Sequence, residues 1–140
     1  MNLINTEFTL LIFDDEKQNR LLLTELFGTT YKIIQAKNGV QALEKARQHR
    51  PDLILLDVLM PEMDGMCVLR ELKRDDATRL IPVIFITALD SATDEENGLN
   101  LGAVDYISKP FHPPIVRVRV RNQLQLVHQR RLLEQLASLD

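Results

Sequence analysis

One cysteine, Cys67, stands in 140 residues. No internal disulfide can form, in keeping with a reducing compartment. No apolar run approaches the length of a membrane span, and Met1 to Thr9 lack the basic stretch and apolar core of a secretory signal. Neither sign of charge dominates. Seventeen Lys and Arg against 20 Asp and Glu leave a net charge of −3, which gives no general electrostatic attraction to nucleic acid or an anionic membrane. The histidines His49, His112 and His128 show no ligand spacing. A soluble cytoplasmic protein is expected, with Cys67 as a small buried side chain on a helix. What remains is ordinary globular material, 45% hydrophobic and 26% charged, long enough for one domain and an extension.

The chain is organised around Asp52-Leu53-Ile54-Leu55-Leu56-Asp57 and the Val58 to Gly65 stretch that follows. The apolar run suits a strand buried on both faces of a parallel sheet, and it ends abruptly in the carboxylate of Asp57. Pro61, Asp64 and Gly65 are turn residues, and Asp64 is placed to cap the next helix. Thr9 to Phe13 is a second apolar run, ending in Asp14-Asp15. Leu21, Leu22, Leu26 and Phe27 then recur at helical spacing up to Gly28. Tyr31 to Ala36 reads as a strand, and Asn38-Gly39 opens a helix with Val40, Leu43 and Ala46 inward. Met66, Leu69 and Leu72 mark the helix after Asp57, and Val83 to Ile86 form a strand closed by Thr87-Ala88. Ser91 to Leu101 has capping-box spacing at Ser91 and Asp94, but little apolar content and an interior Gly98, so it reads as the most movable helix. Ala103 to Ile107 forms a fifth strand before Ser108-Lys109-Pro110. Ile115 to Val120 alternates like a strand, yet Pro113-Pro114 suit a helix start and no glycine or proline follows.

Five strand and helix alternations predict an α/β fold, a doubly wound parallel sheet with helices on both faces. Asp14 and Asp15, Asp57, Thr87 and Lys109 then fall at the carboxyl ends of different strands, where such sheets bind ligands. Crowded carboxylates call for a hard cation such as Mg2+. With a lysine and a hydroxyl beside them, they are what phosphoryl transfer to an aspartate requires. Each piece alone has a plainer reading. Asp15 and Gln18 have capping-box spacing, Thr87 is a strand-end residue and Lys109 a surface lysine. Together the plain readings fail, because unrelated turn residues have no reason to converge on one crevice.

Asp14-Asp15, Leu55-Leu56-Asp57-Val58-Leu59-Met60-Pro61 with Met63-Asp64-Gly65, Thr87-Ala88, and Gly102 to Phe111 resemble the receiver domain of two-component response regulators over roughly residues 8 to 127. The resemblance implies a flavodoxin-like fold with strand order 2-1-3-4-5. It implies Asp57 as phosphoacceptor and Asp14 and Asp15 as the acidic pair for Mg2+, with Asp57 itself and the Leu59 carbonyl as further ligands. Thr87 and Lys109 would contact the phosphoryl group, and the Lys109-Pro110 bond would be cis. Tyr106 would turn inward with Thr87 on phosphorylation and change the surface of the fourth helix, fifth strand and fifth helix. The implied partner is a sensor histidine kinase or phosphotransfer protein. Leu59 and Leu89 flank the site with apolar side chains, which predicts a long-lived phosphoryl group.

The expected division is a receiver over 1–127 and a helical extension, linker or short coiled coil over 128–140. Leu126, Leu133 and Leu136, with Val127 and Leu132, form a partial heptad suited to a homodimer. Packing on the protein's own domain is the alternative. Arg117, Arg119, Arg121, Arg130 and Arg131 read as a solvated face, since no helix-turn-helix or aromatic interleaving points to nucleic acid. The Pro113 to Arg121 segment resembles receivers joined to output enzymes of cyclic-di-GMP signalling, and Leu136 to Asp140 the approach to a diguanylate cyclase domain. The other readings are a Mg2+-dependent phosphohydrolase and a degenerate receiver acting as a scaffold. The former needs an aspartate at position 59, where Leu59 stands.

Overall fold

A computed structural model describes residues 8–59 and 63–139. The turn assigned to Pro61 lies outside them. The order is β1 (Thr9–Phe13), α1 (Lys17–Phe27), β2 (Lys32–Ala36), α2 (Gly39–His49), β3 (Leu53–Leu56), α3 (Gly65–Arg74), β4 (Val83–Thr87), α4 (Ala92–Asn100), β5 (Asp105–Ser108) and α5 (Pro113–Ala137). All strands are parallel, in the order β2-β1-β3-β4-β5.

Side chains alternate across each strand, and this sorts the central strands between two cores. Leu11, Phe13, Ile54, Leu56, Val83 and Phe85 face α2 and α3. Leu10, Ile12, Leu53, Leu55, Ile84 and Ile86 face α1 and α5. With both faces covered, β3 and β4 are buried throughout, which is why their sequences are continuous apolar runs.

Helix starts follow the sequence where a short polar residue precedes them. Asn38 accepts from the Gln41 N–H at 2.8 Å, Asp64 from the Cys67 N–H at 2.9 Å, and Ser91 from the Asp94 N–H at 3.0 Å. The box expected of Asp15 and Gln18 does not form. Glu16 caps α1 without a side-chain bond, and Asp14 instead accepts from the Glu16 N–H.

Several inward positions differ from expectation. In α2 the buried set is Gly39, Ala42, Leu43 and Ala46, a complete i, i+3, i+4, i+7 face that leaves Val40 exposed. In α1 Leu23 and Phe27 are buried and Leu21 and Leu22 face outward. Cys67 is only half-buried on α3. In α5 Val116, Val120, Leu124 and Val127 are buried while Ile115 and Val118 are exposed, so helical period wins over the apparent alternation.

Gly98 has a packing reason. A Cβ there would stand 3.1 Å from ring atoms of both Phe85 and Tyr106, so the missing side chain lets α4 approach the two rings. The basic tail is also more than a solvated face. Arg119 bonds both Asp105 carboxylate oxygens at 2.7 and 2.8 Å, and Arg130 donates to the Leu80 carbonyl. Arg131 pairs with Asp52 and lies 5.9 Å from the centre of the Phe8 ring. Asp52 in turn accepts from the Thr9 N–H, so these contacts tie α5 beyond Val127 to the amino edge of the sheet.

Candidate functional site

The site begins where the ladders run one residue past their strands. The Asp57 N–H donates to the Phe13 carbonyl at 3.0 Å, and the Lys109 N–H to the Thr87 carbonyl at 2.8 Å. These bonds fix the backbones of the strand-end residues against one another at the carboxyl edge. Asp14, Asp57 and Thr87 are buried there, at 2%, 4% and 0% exposure.

Lys109 joins the two carboxylates. Its Nζ lies 2.7 Å from Asp14 Oδ2 and 2.8 Å from Asp57 Oδ2. The other oxygen of each is held locally: Asp14 Oδ1 accepts from the Glu16 N–H at 2.9 Å, and Asp57 Oδ1 from the Leu59 N–H at 3.0 Å. The two acids are thus fixed in matching ways across 43 residues of sequence, and the Lys109-Pro110 bond is cis.

The electrostatics follow from that geometry. Burial pushes the Asp14 carboxyl above its ordinary range, although Lys109 and the Glu16 N–H pull it down. For Lys109, burial alone favours deprotonation, but the bonds to Asp14 and Asp57 outweigh it and raise its pKa. The ammonium is therefore retained.

Gly65 makes the arrangement possible from below. A Cβ at this position would lie 2.2 Å from the Asp57 carbonyl oxygen, a backbone atom. Glycine lets the start of α3 pass directly under Asp57, and the Gly65 N–H donates to the Val58 carbonyl at 3.0 Å.

Around this centre, Thr87 Oγ1 accepts from the Leu89 N–H at 3.3 Å. Tyr106 is 7% exposed, and its hydroxyl donates to the Leu89 carbonyl at 2.7 Å. Its ring meets Phe85 edge-on, centroids 5.9 Å apart. Burial first, then Asp94, Glu95, Asp57 and Asp90, push the phenol up to about 12. The backbone of Leu89 thus connects the two expected switch residues, which no sequence pattern signalled. The Leu89 side chain packs partly into the core, while Leu59 is exposed.

Carboxylate oxygens of Asp14, Asp15 and Glu16 lie within 4.8 Å of one another, with Asp14 buried and the other two exposed. Three hard oxygen donors at this spacing fit a divalent ion such as Mg2+. Glu16 was not anticipated, although it directly follows Asp14-Asp15. Asp57 is outside this trio.

Fold and site together define a doubly wound α/β protein with lysine-bridged acids at its ligand edge. The family model for the response regulator receiver domain matches residues 10–121. Response regulator PleD of Caulobacter vibrioides is 46% identical over 114 residues, covering 81% of this chain and 25% of its own. A protein named probable cyclic di-GMP phosphodiesterase, from Vibrio cholerae, is 41% identical over 120 residues, covering 86% of this chain and 27% of its own. The chain thus spans about a quarter of the length of these relatives. The crystal structure of the signal receiver domain of a signal transduction histidine kinase from Syntrophus aciditrophicus superposes with a TM-score of 0.77 at 36% identity, covering 84% of this chain and 90% of its own. The chain belongs to the response regulator receiver domain family. Members are phosphoacceptor signalling modules of two-component systems, and enzymatic activities of relatives reside in attached domains.

Proposed function

We propose that Asp57 accepts a phosphoryl group from a histidine kinase or phosphotransfer protein and that the domain acts as a cytoplasmic switch. The observation that carries this is the Lys109 ammonium held between Asp14 and Asp57 in a buried crevice. An Asp57 carboxylate oxygen attacks phosphorus, a P–O bond forms, and the P–N bond to the donor imidazole breaks with its electron pair returning to nitrogen. Lys109 leaves its contact with Asp57 for the incoming phosphoryl oxygens and stabilises the charge spread over them. Asp14 and Asp15, with Asp57 and the Leu59 carbonyl, are the residues proposed to hold Mg2+; Glu16 is a further candidate. When bound, that ion neutralises charge on the transferring group.

The Thr87 hydroxyl is freed from the Leu89 N–H to donate to the phosphoryl group. Because Leu89 also holds Tyr106, a shift of this loop reaches the face formed by α4, β5 and α5. The proposed outcome is dimerisation through that face and the C-terminal helix, or control of an attached output domain. Tyr106 already occupies a buried position, so phosphorylation selects a ring placement accessible to the unmodified chain.

The test is intact mass after incubation with acetyl phosphate, with and without Mg2+, alongside Asp57→Asn. A gain of one phosphoryl group that needs Mg2+ and Asp57 is expected. A gain that persists in Asp57→Asn sinks the assignment.

A further inference from the structure

We propose that a second anion site, for a small phosphate-bearing ligand, lies between α1 and α2 beside the crevice. It is a cavity of about 280 Å³ lined by Arg20, Gln35, Ala36, Lys37, Gln41 and Lys45. None of its three cations has a carboxylate within ion-pairing distance among the described residues. Arg20 and Lys45 are anchored by neutral acceptors instead, Arg20 Nη1 to the Asp14 carbonyl at 2.7 Å and Lys45 Nζ to the Gln35 carbonyl at 2.6 Å. Each is half-buried and retains further N–H donors, since a guanidinium carries five and an ammonium three.

A second, independent feature adds to this positive field. The amino end of α2 abuts the cavity through Lys37 and Gln41, and its first turn contains no acidic residue, so the helix dipole is unopposed. In a chain of net charge −3, three cations and a helix amino end around one concavity form a local reversal of sign. The volume suits a phosphate group with a few attached atoms, and the mixture of Arg, Lys and Gln donors matches its several acceptor oxygens. The inference stands on these groups alone and does not require that Asp57 accept phosphate.

The experiment is a titration of the metal-free protein with inorganic phosphate at constant ionic strength, followed by backbone amide shifts; glycerol phosphate is run in parallel. Saturable shifts at Lys37 and Gln41 are expected with both ligands, because the phosphate group itself is read. Lys45→Gln and Lys37→Gln should each weaken the affinity about tenfold, the scale of losing one charge-assisted hydrogen bond. Lys32→Gln removes the same charge from the amino end of β2, outside the cavity lining, and should leave the affinity unchanged. Shifts that fail to saturate, that weaken equally in all three variants, or that centre on Thr87 and Lys109 overturn the proposal.

Discussion

Asp14 and Asp57 each give one oxygen to Lys109 and the other to a backbone N–H two residues on. What the two acids require of their neighbours decides how single substitutions behave. Gly65→Ala would force a methyl to 2.2 Å from the Asp57 carbonyl. The backbone must move, so the expected loss is about 3 kcal/mol or more by urea unfolding, with phosphorylation impaired even in the fraction that folds. Tyr106 yields a pH prediction. Its phenol ionises near 12 in the folded chain and near 10 in an unfolded one, so its contribution is complete below about pH 10 and disappears as pH rises through 12. Tyr106→Phe should lose stability less steeply across that window, while Tyr31, also raised by burial, keeps part of the slope. An unchanged slope would show that the Tyr106 phenol titrates normally. The charged residues of the crevice were legible because each sits at a strand end. The Leu89 link was not, because it uses only the main-chain atoms of that residue.

The alternation of strand and helix could be read from continuous apolar runs, and the starts of α2, α3 and α4 from Asn38, Asp64 and Ser91. Helix faces were harder, since Val40 and Leu21 are as apolar as their buried neighbours and only the complete face selects between them. The interior glycine that lets α4 read as weak, Gly98, has a packing reason. Alanine there gains roughly 1 kcal/mol of helix propensity, against an overpacking cost of about 1–3 kcal/mol. Phe85 is fully buried on β4 and Tyr106 is tied to Leu89, so neither ring yields readily. Gly98→Ala should therefore destabilise the chain by about 1 kcal/mol net in urea unfolding, and a gain in stability would mean that the rings can give way.

For the molecule as a whole, the last buried side chain of α5 is Val127, yet the helix continues to Ala137 with Leu132, Leu133 and Leu136 exposed. The partial heptad loses Val127 to the core, leaving an outward leucine surface as the proposed contact for a second copy. Arg131 holds this segment against Asp52 and Phe8. Arg131→Ala should cost roughly 1 kcal/mol and speed amide hydrogen exchange over residues 128–137, leaving the sheet protected. Exchange that is unaffected there would show the helix to be held by other contacts. A helix gripped at its base and bare at its tip is a lever. At 1.5 Å of rise per residue, the six residues past the Arg131 contact, Leu132 to Ala137, make an arm of about 9 Å, and a tilt of about 10° carries the tip through roughly 1.5 Å. Displacements too small to notice inside the sheet would then register at the far end as a change of alignment between neighbours.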